Sequence, residues 1–92
     1  MASLQVYLNH KKVCKARHAG IGNVSFHLTI DNHGSEEKID FEINGQEDGC
    51  DKMIMLDWII DQPVKVGDEI TIKIIDGITS DEPLYKLDWS PY

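Results

Sequence analysis

Ninety-two residues with 41 % hydrophobic and 27 % charged side chains suit one globular domain spanning 1–92, and no apolar run approaches the roughly 18 residues of a membrane helix. The formal charge of −7 is unevenly laid out: residues 1–30 carry Lys11, Lys12, Lys15 and Arg17 and no acid, while all 16 acids lie from Asp31 onward. Phosphate backbones need clustered Lys and Arg, so this balance argues against nucleic acid and for a basic partner.

The start Met1-Ala2-Ser3-Leu4-Gln5 lacks a basic-then-apolar export signal, which predicts a cytoplasmic protein whose Cys14 and Cys50 are free thiols rather than a disulfide. Along the chain, Leu4, Val6 and Leu8 alternate as in a first strand, and Asn9-His10-Lys11 turns it into a basic hairpin arm. Such an arm is a solvated surface or, less simply, a contact for an anion. After Gly20-Ile21-Gly22-Asn23, the residues Val24, Phe26, Leu28 and Ile30 alternate with Ser25, His27 and Thr29. Beyond the turn residues Asp31 to Gly34, Ile39, Phe41 and Ile43 alternate with Asp40 and Glu42. Each pattern places apolar side chains on one sheet face and polar ones on the other.

Residues 44–51 have a superficial calcium-loop flavour but no correctly spaced bidentate Glu, and read as a solvated turn. Residues 53–60 are apolar on both parities except at Asp57, so they form either a strand covered on both faces or a short helix. Their β-branched content and flanking turns favour strand. Trp58 is placed in the core and Asp57 on the opposite face, toward solvent. Asp61-Gln62-Pro63 separates this segment from the next, and Pro63, lacking a ladder donor, belongs at a sheet edge or outside the sheet. Val66-Gly67-Asp68-Glu69 supplies a turn before a strand from Ile70 to Ile75. Short strands spaced by Gly, Asn and Asp, with no long 3.6-residue stripe, predict an all-β fold. The expected architecture is a small antiparallel β-sandwich, or a partly open barrel, of six or seven strands.

The stretch Leu8-Asn9-His10-Lys11, the internal Trp58 and the strand start Val66-Gly67-Asp68-Glu69-Ile70 resemble a family of small bacterial β proteins. That family has a Leu-Asn-Gly-Lys/Arg hairpin, an internal Trp and a Val-Gly-Asp-Glu-Ile strand start. The resemblance runs over roughly residues 4–83 and implies a β fold without supplying an activity. His10 stands where the family has Gly, at a turn position that calls for positive φ.

Few residues carry chemistry. His10, Cys14 and His18 recur every four residues and, with Cys50 or His27, could be assembled into a zinc site. No close ligand pair of the Cys-x-x-Cys kind supports it, so a buried apolar cysteine and exposed histidines are expected, with neither metal nor cofactor. Nothing in the sequence orients a base beside Cys14 or offers an oxyanion hole, and no phosphate loop or hydrolase elbow is present, so catalysis is not expected. Asp76, Asp81, Glu82 and Asp88 crowd the C-terminal segment beside Tyr85, Trp89 and Tyr92, a combination suited to an acidic recognition surface. Alternatively Tyr85, Leu87 and Trp89, spaced by two, form a last strand facing the core. The expected function is that of a small acidic binding protein, a protein-interaction or immunity/inhibitor-type module. The alternative is a small-ligand or metal-binding β domain.

Overall fold

A computed structural model describes residues 2–16, 22–48, 53–76, 81 and 83, and the backbone of 85–89. Seven strands follow in chain order: β1 (Ala2–Leu8), β2 (Lys11–Ala16), β3 (Gly22–His33), β4 (Glu36–Asp48), β5 (Met53–Val64), β6 (Ile70–Asp76) and β7 (Tyr85–Trp89). They form two antiparallel sheets, ordered β2-β1-β6 and β3-β4-β5-β7. The architecture is all-β and sandwich-like, and residues 53–60, left between strand and helix by their pattern, are strand.

The two sheets meet through one apolar layer. Val6, Cys14 and Ala16 come from the smaller sheet, and Phe41, Ile43, Leu56 and Trp58 from the larger; all seven are buried. Directly paired residues share a sheet face, so the register explains the layer. Val6 pairs with Cys14, and Leu4 with Ala16. Phe26 pairs with Ile43, and Leu28 with Phe41. The rings of Phe26 and Phe41 pack 5.3 Å apart at 31°. Trp58 lies in the core, as its apolar neighbours predict.

Tight turns set the small sheet. Asn9 (φ 52) and His10 (φ 69) both occupy the left-handed region between Leu8 and its partner Lys11. That is a two-residue type I′ turn, whose twist matches the flanking strands. The side chain of Asn9 then docks on the turn before β6: its amide donates to Asp68 Oδ1 at 3.0 Å, and its Oδ1 accepts from the Glu69 backbone N–H at 2.9 Å. The Asn9 backbone N–H also donates to the Glu69 carbonyl at 2.8 Å. In that second turn Gly67 takes φ 98, and Asp68 Oδ2 accepts from the Lys65 N–H at 2.9 Å. These bonds favour the ionised carboxylate and hold Asp68 below the usual carboxylate range, the Asn9 amide being the largest cause.

The larger sheet outreaches the smaller. Strands β3, β4 and β5 run for 12, 13 and 12 residues, whereas β1, β2 and β6 run for 7, 6 and 7. At about 3.3 Å per residue the long strands extend some 40 Å and the short ones some 23 Å. The distal half of the β3–β4 hairpin therefore overhangs. Leu28 and Ile30 share the inner face with Phe41 and Ile39, yet they are 49 % and 61 % exposed.

Three stretches expected to be turns are strand in whole or large part. Asp31 to His33 complete β3 and pair with Glu36 to Lys38, leaving the turn to Gly34 and Ser35, and two others lie inside longer strands. Asn44 to Asp48 continue β4 and pair with Met53 to Asp57. Their polar composition misleads because Asn44, Gln46 and Asp48 occupy the solvent side, while the inner positions fall to Gly45 and, toward the end of the strand, to the half-buried Glu47. A Cβ at Gly45 would collide with the Asn23 carbonyl oxygen and sit 3.2 Å from the Trp58 ring, so this glycine marks a close approach inside a strand. Asp61 to Pro63 likewise lie within β5, where irregular register and a left-handed Asp61 (φ 48) mark a bulge. Pro63 pairs with Asp40 beyond the reach of β7, which covers only Met53 to Asp57. Its missing N–H thus falls on an edge, where proline is tolerated.

Candidate functional site

Parity and register sort the polar residues onto two outer faces. On the larger sheet, Asp31 pairs with Lys38, Thr29 with Asp40, His27 with Glu42, and His33 with Glu36. Asn44 pairs with Asp57, and Asp48 with Met53. Because Phe41, Ile43 and Gly45 point inward, the alternate residues Asp31, Glu36, Asp40, Glu42, Asp48 and Asp57 lie on the outer face. Lys38 is the one lysine among the described residues of β3, β4 and β5 that joins them. Its Nζ approaches Asp40 Oδ2 at 3.6 Å, and the Asn44 amide donates to Glu42 Oε2 at 3.3 Å. The Gln46 amide likewise donates to Asp48 Oδ1 at 2.9 Å, and one cation and two amides leave this face strongly negative.

The smaller sheet presents the opposite sign. Lys15 and Lys73 both pair with Gln5, and Lys12 and Thr71 with Tyr7. All of these lie opposite in parity to the buried Val6. Lys73 Nζ stands 5.0 Å from the centroid of the Tyr7 ring, a cation–π placement. The sandwich is thus polarised through its thickness, with lysines outside one sheet and carboxylates outside the other.

The C-terminal residues expected to form an acidic surface occupy varied positions. Asp76 ends β6 opposite Ala2 and is exposed. Asp81 closes an edge: its backbone N–H donates to the Lys15 carbonyl and its Oδ2 accepts from the Lys15 N–H, both at 2.8 Å. Its own carbonyl accepts from Trp58 Nε1, also at 2.8 Å. One residue therefore occupies the free side of β2 and satisfies the buried indole, tying the sheets together. Tyr85, Asp88 and Trp89 lie on β7 with their backbones opposite Asp57, Ile54 and Met53. Their side chains, together with Glu82 and Tyr92, fall outside the described residues.

The residues weighed for metal or nucleophilic chemistry are drawn apart. His10 sits at the exposed tip of the first hairpin, 3.6 Å from Glu69 Oε2, whereas Cys14 is in the core. His27 lies on the outer face of β3, and His18 and Cys50 are outside the described residues. Burial pushes the Cys14 thiol up to about 11, the Asp81 carboxylate adding to the rise and Lys12 opposing it. At neutral pH Cys14 is a protonated thiol, a poor nucleophile and a poor ligand. Among the described residues, no group of three or more His, Cys, Asp or Glu is placed to hold a metal ion.

The acidic face of β4 was only half legible in the sequence. Asp40 and Glu42 already alternate with Ile39, Phe41 and Ile43, but their union with Asp31, Asp48 and Asp57 needs the register. No helix among the described residues is long and apolar enough to cross a membrane. Compared with known protein families, with curated proteins and with solved structures, the chain matches none of them.

Proposed function

We propose that this protein is a non-catalytic interaction module that docks a basic protein partner on the outer face of its larger sheet. The observation that carries this reading is the gathering of Asp31, Glu36, Asp40, Glu42, Asp48 and Asp57 on one sheet face, where Lys38 is the one lysine among the described residues. A broad surface of one sign steers a complementary partner into encounter and rejects like-charged ones. Polyanions are disfavoured on this face, and Lys12, Lys15 and Lys73 lie on the opposite side of the sandwich. Occluding a cationic surface is the task of inhibitor and immunity-type proteins, and the proposal places this chain in that role. It moves the recognition surface from the C-terminal segment, where Asp81 is committed to Lys15 and Trp58, to the centre of β4.

The test is retention of host proteins by the immobilised chain. A variant carrying Glu36→Lys, Glu42→Lys and Asp48→Lys should lose a retained basic protein that the parent holds at low salt. A variant carrying Lys12→Glu and Lys73→Glu should keep it. The opposite pattern would refute the proposal.

A further inference from the structure

We propose that the outer edge of β3, unpaired among the described residues, is a homodimer seam. A second copy of this chain pairs its own β3 antiparallel to the first about a two-fold axis at Leu28, joining two four-stranded sheets into one of eight strands.

Three sheet edges belong to strands whose residues are fully described, and they differ. The edge of β2 is occupied at Lys15 by Asp81. The edge strand β6 is 7 residues long and carries Lys73 and Asp76, the kind of charge that discourages edge pairing. The edge strand β3 is 12 residues long, and Asp31 is its sole formal charge at neutral pH. It contains no proline and no lysine, and its pairing with β4 runs without a bulge. Of these three edge strands, β3 therefore brings the fewest charges against a copy of itself.

The backbone is set for such a seam. Gly34 (φ 77) and Ser35 form a two-residue turn closed by His33 and Glu36. That closing pair is hydrogen-bonded, so alternate residues of β3 bond to β4. The others, Val24, Phe26, Leu28, Ile30 and Asn32, turn their N–H and C=O groups outward. Their number and spacing are symmetric about Leu28.

The side chains are self-complementary in the same register. With Leu28 on the axis, Phe26 meets Ile30 of the second copy, His27 meets Thr29, and Ser25 meets Asp31. No like charges are opposed. The overhanging ledge of Leu28 and Ile30, 49 % and 61 % exposed, becomes a continuous apolar row on the inner side of the joined sheet. An isologous pair uses both β3 edges and so closes at two copies. A single-strand seam is at the small end of specific interfaces, so the dimer exchanges reversibly with monomer as concentration changes.

Sedimentation equilibrium of the full chain tests this, with circular dichroism to verify folding of each variant. The parent should show a concentration-dependent monomer–dimer equilibrium with no larger species. Leu28→Glu and Leu28→Lys, at a half-exposed position, should each remain folded and weaken dimerisation by about a hundredfold, because like charges meet on the axis. Mixing the two variants should restore a heterodimer. A monomeric parent would overturn the proposal, including one that instead takes up an extended peptide. So would aggregates, a dimer indifferent to both substitutions, or failure of the mixture to pair.

Discussion

The two sheets reach order by different means. In the smaller one, short strands are held by side chains acting as strand neighbours: Asn9 bonds across to Asp68 and Glu69, and Asp81 bonds along Lys15. In the larger one, order comes from the length of pairing, with β3 and β4 matched over 12 residue pairs. Because that hairpin outruns its cover, the large sheet has a closed half and an open half. The same strand residues, apolar and of one parity, are core in one half and surface in the other. Alternation assigns a face; only the facing layer decides whether that face is dry.

The largest expected effect lies in the closed half. Trp58→Ala removes the ring that fits over Gly45 and frees the Asp81 carbonyl, and should cost about 3–5 kcal/mol, read from denaturant unfolding. A melting temperature within a degree or two of the parent would contradict the assigned core. Next in size is the contrast between two isoleucines of the large sheet, at concentrations low enough to prevent association. Ile43→Ala, in the closed half, should cost about 2–5 kcal/mol. Ile30→Ala, on the overhang, should cost less than about 1 kcal/mol. Equal costs would mean that the overhang is packed.

The small sheet offers two finer tests. His10→Gly relieves a left-handed non-glycine residue and should stabilise by about 1 kcal/mol in denaturant unfolding; a loss of stability would show that the His10–Glu69 contact at 3.6 Å matters more than the turn. Asp68 tests the lock between the turns through pH. Its folded pKa lies below its ordinary value, so its stabilisation is complete above the normal carboxylate range. It is lost as pH falls through the folded pKa. Asp68→Asn should therefore flatten the acid limb of the stability curve, and an unchanged limb would show that the lock does not depend on ionisation.

Much of the fold was legible because period-two alternation is a direct record of sheet faces. Val24 to Ile30, Ile39 to Ile43 and Ile70 to Ile75 all lie in strands as their patterns predict. The sequence misled where polarity and strand coincide. Asn44 to Asp48 look like a loop because their outer residues are polar and their inner position needs the small Gly45 beneath Trp58. The Asp61 to Pro63 separator looks like a stop because a bulge uses the same residues as a turn. The acidic face was only half legible for another reason: Asp40 and Glu42 show in the alternation of β4, but their union with Asp31 and Asp57 across three strands depends on register, which the linear charge split does not reveal. The crowding of Asp76, Asp81, Glu82 and Asp88 beside aromatic residues pointed instead to the C-terminal segment, where Asp81 bridges Lys15 and Trp58.

The most direct test of the account is the association rate with the captured basic partner, followed against ionic strength. Attraction by the outer face of the large sheet acts over roughly 8 Å at physiological salt and should accelerate encounter at low salt. The variant carrying Glu36→Lys, Glu42→Lys and Asp48→Lys should associate at least about tenfold more slowly at low salt, with its salt dependence flattened. The variant carrying Lys12→Glu and Lys73→Glu should match the parent. If the lysine-face variant loses the fast, salt-sensitive association and the acidic-face variant keeps it, the recognition surface is on the smaller sheet and the account is wrong.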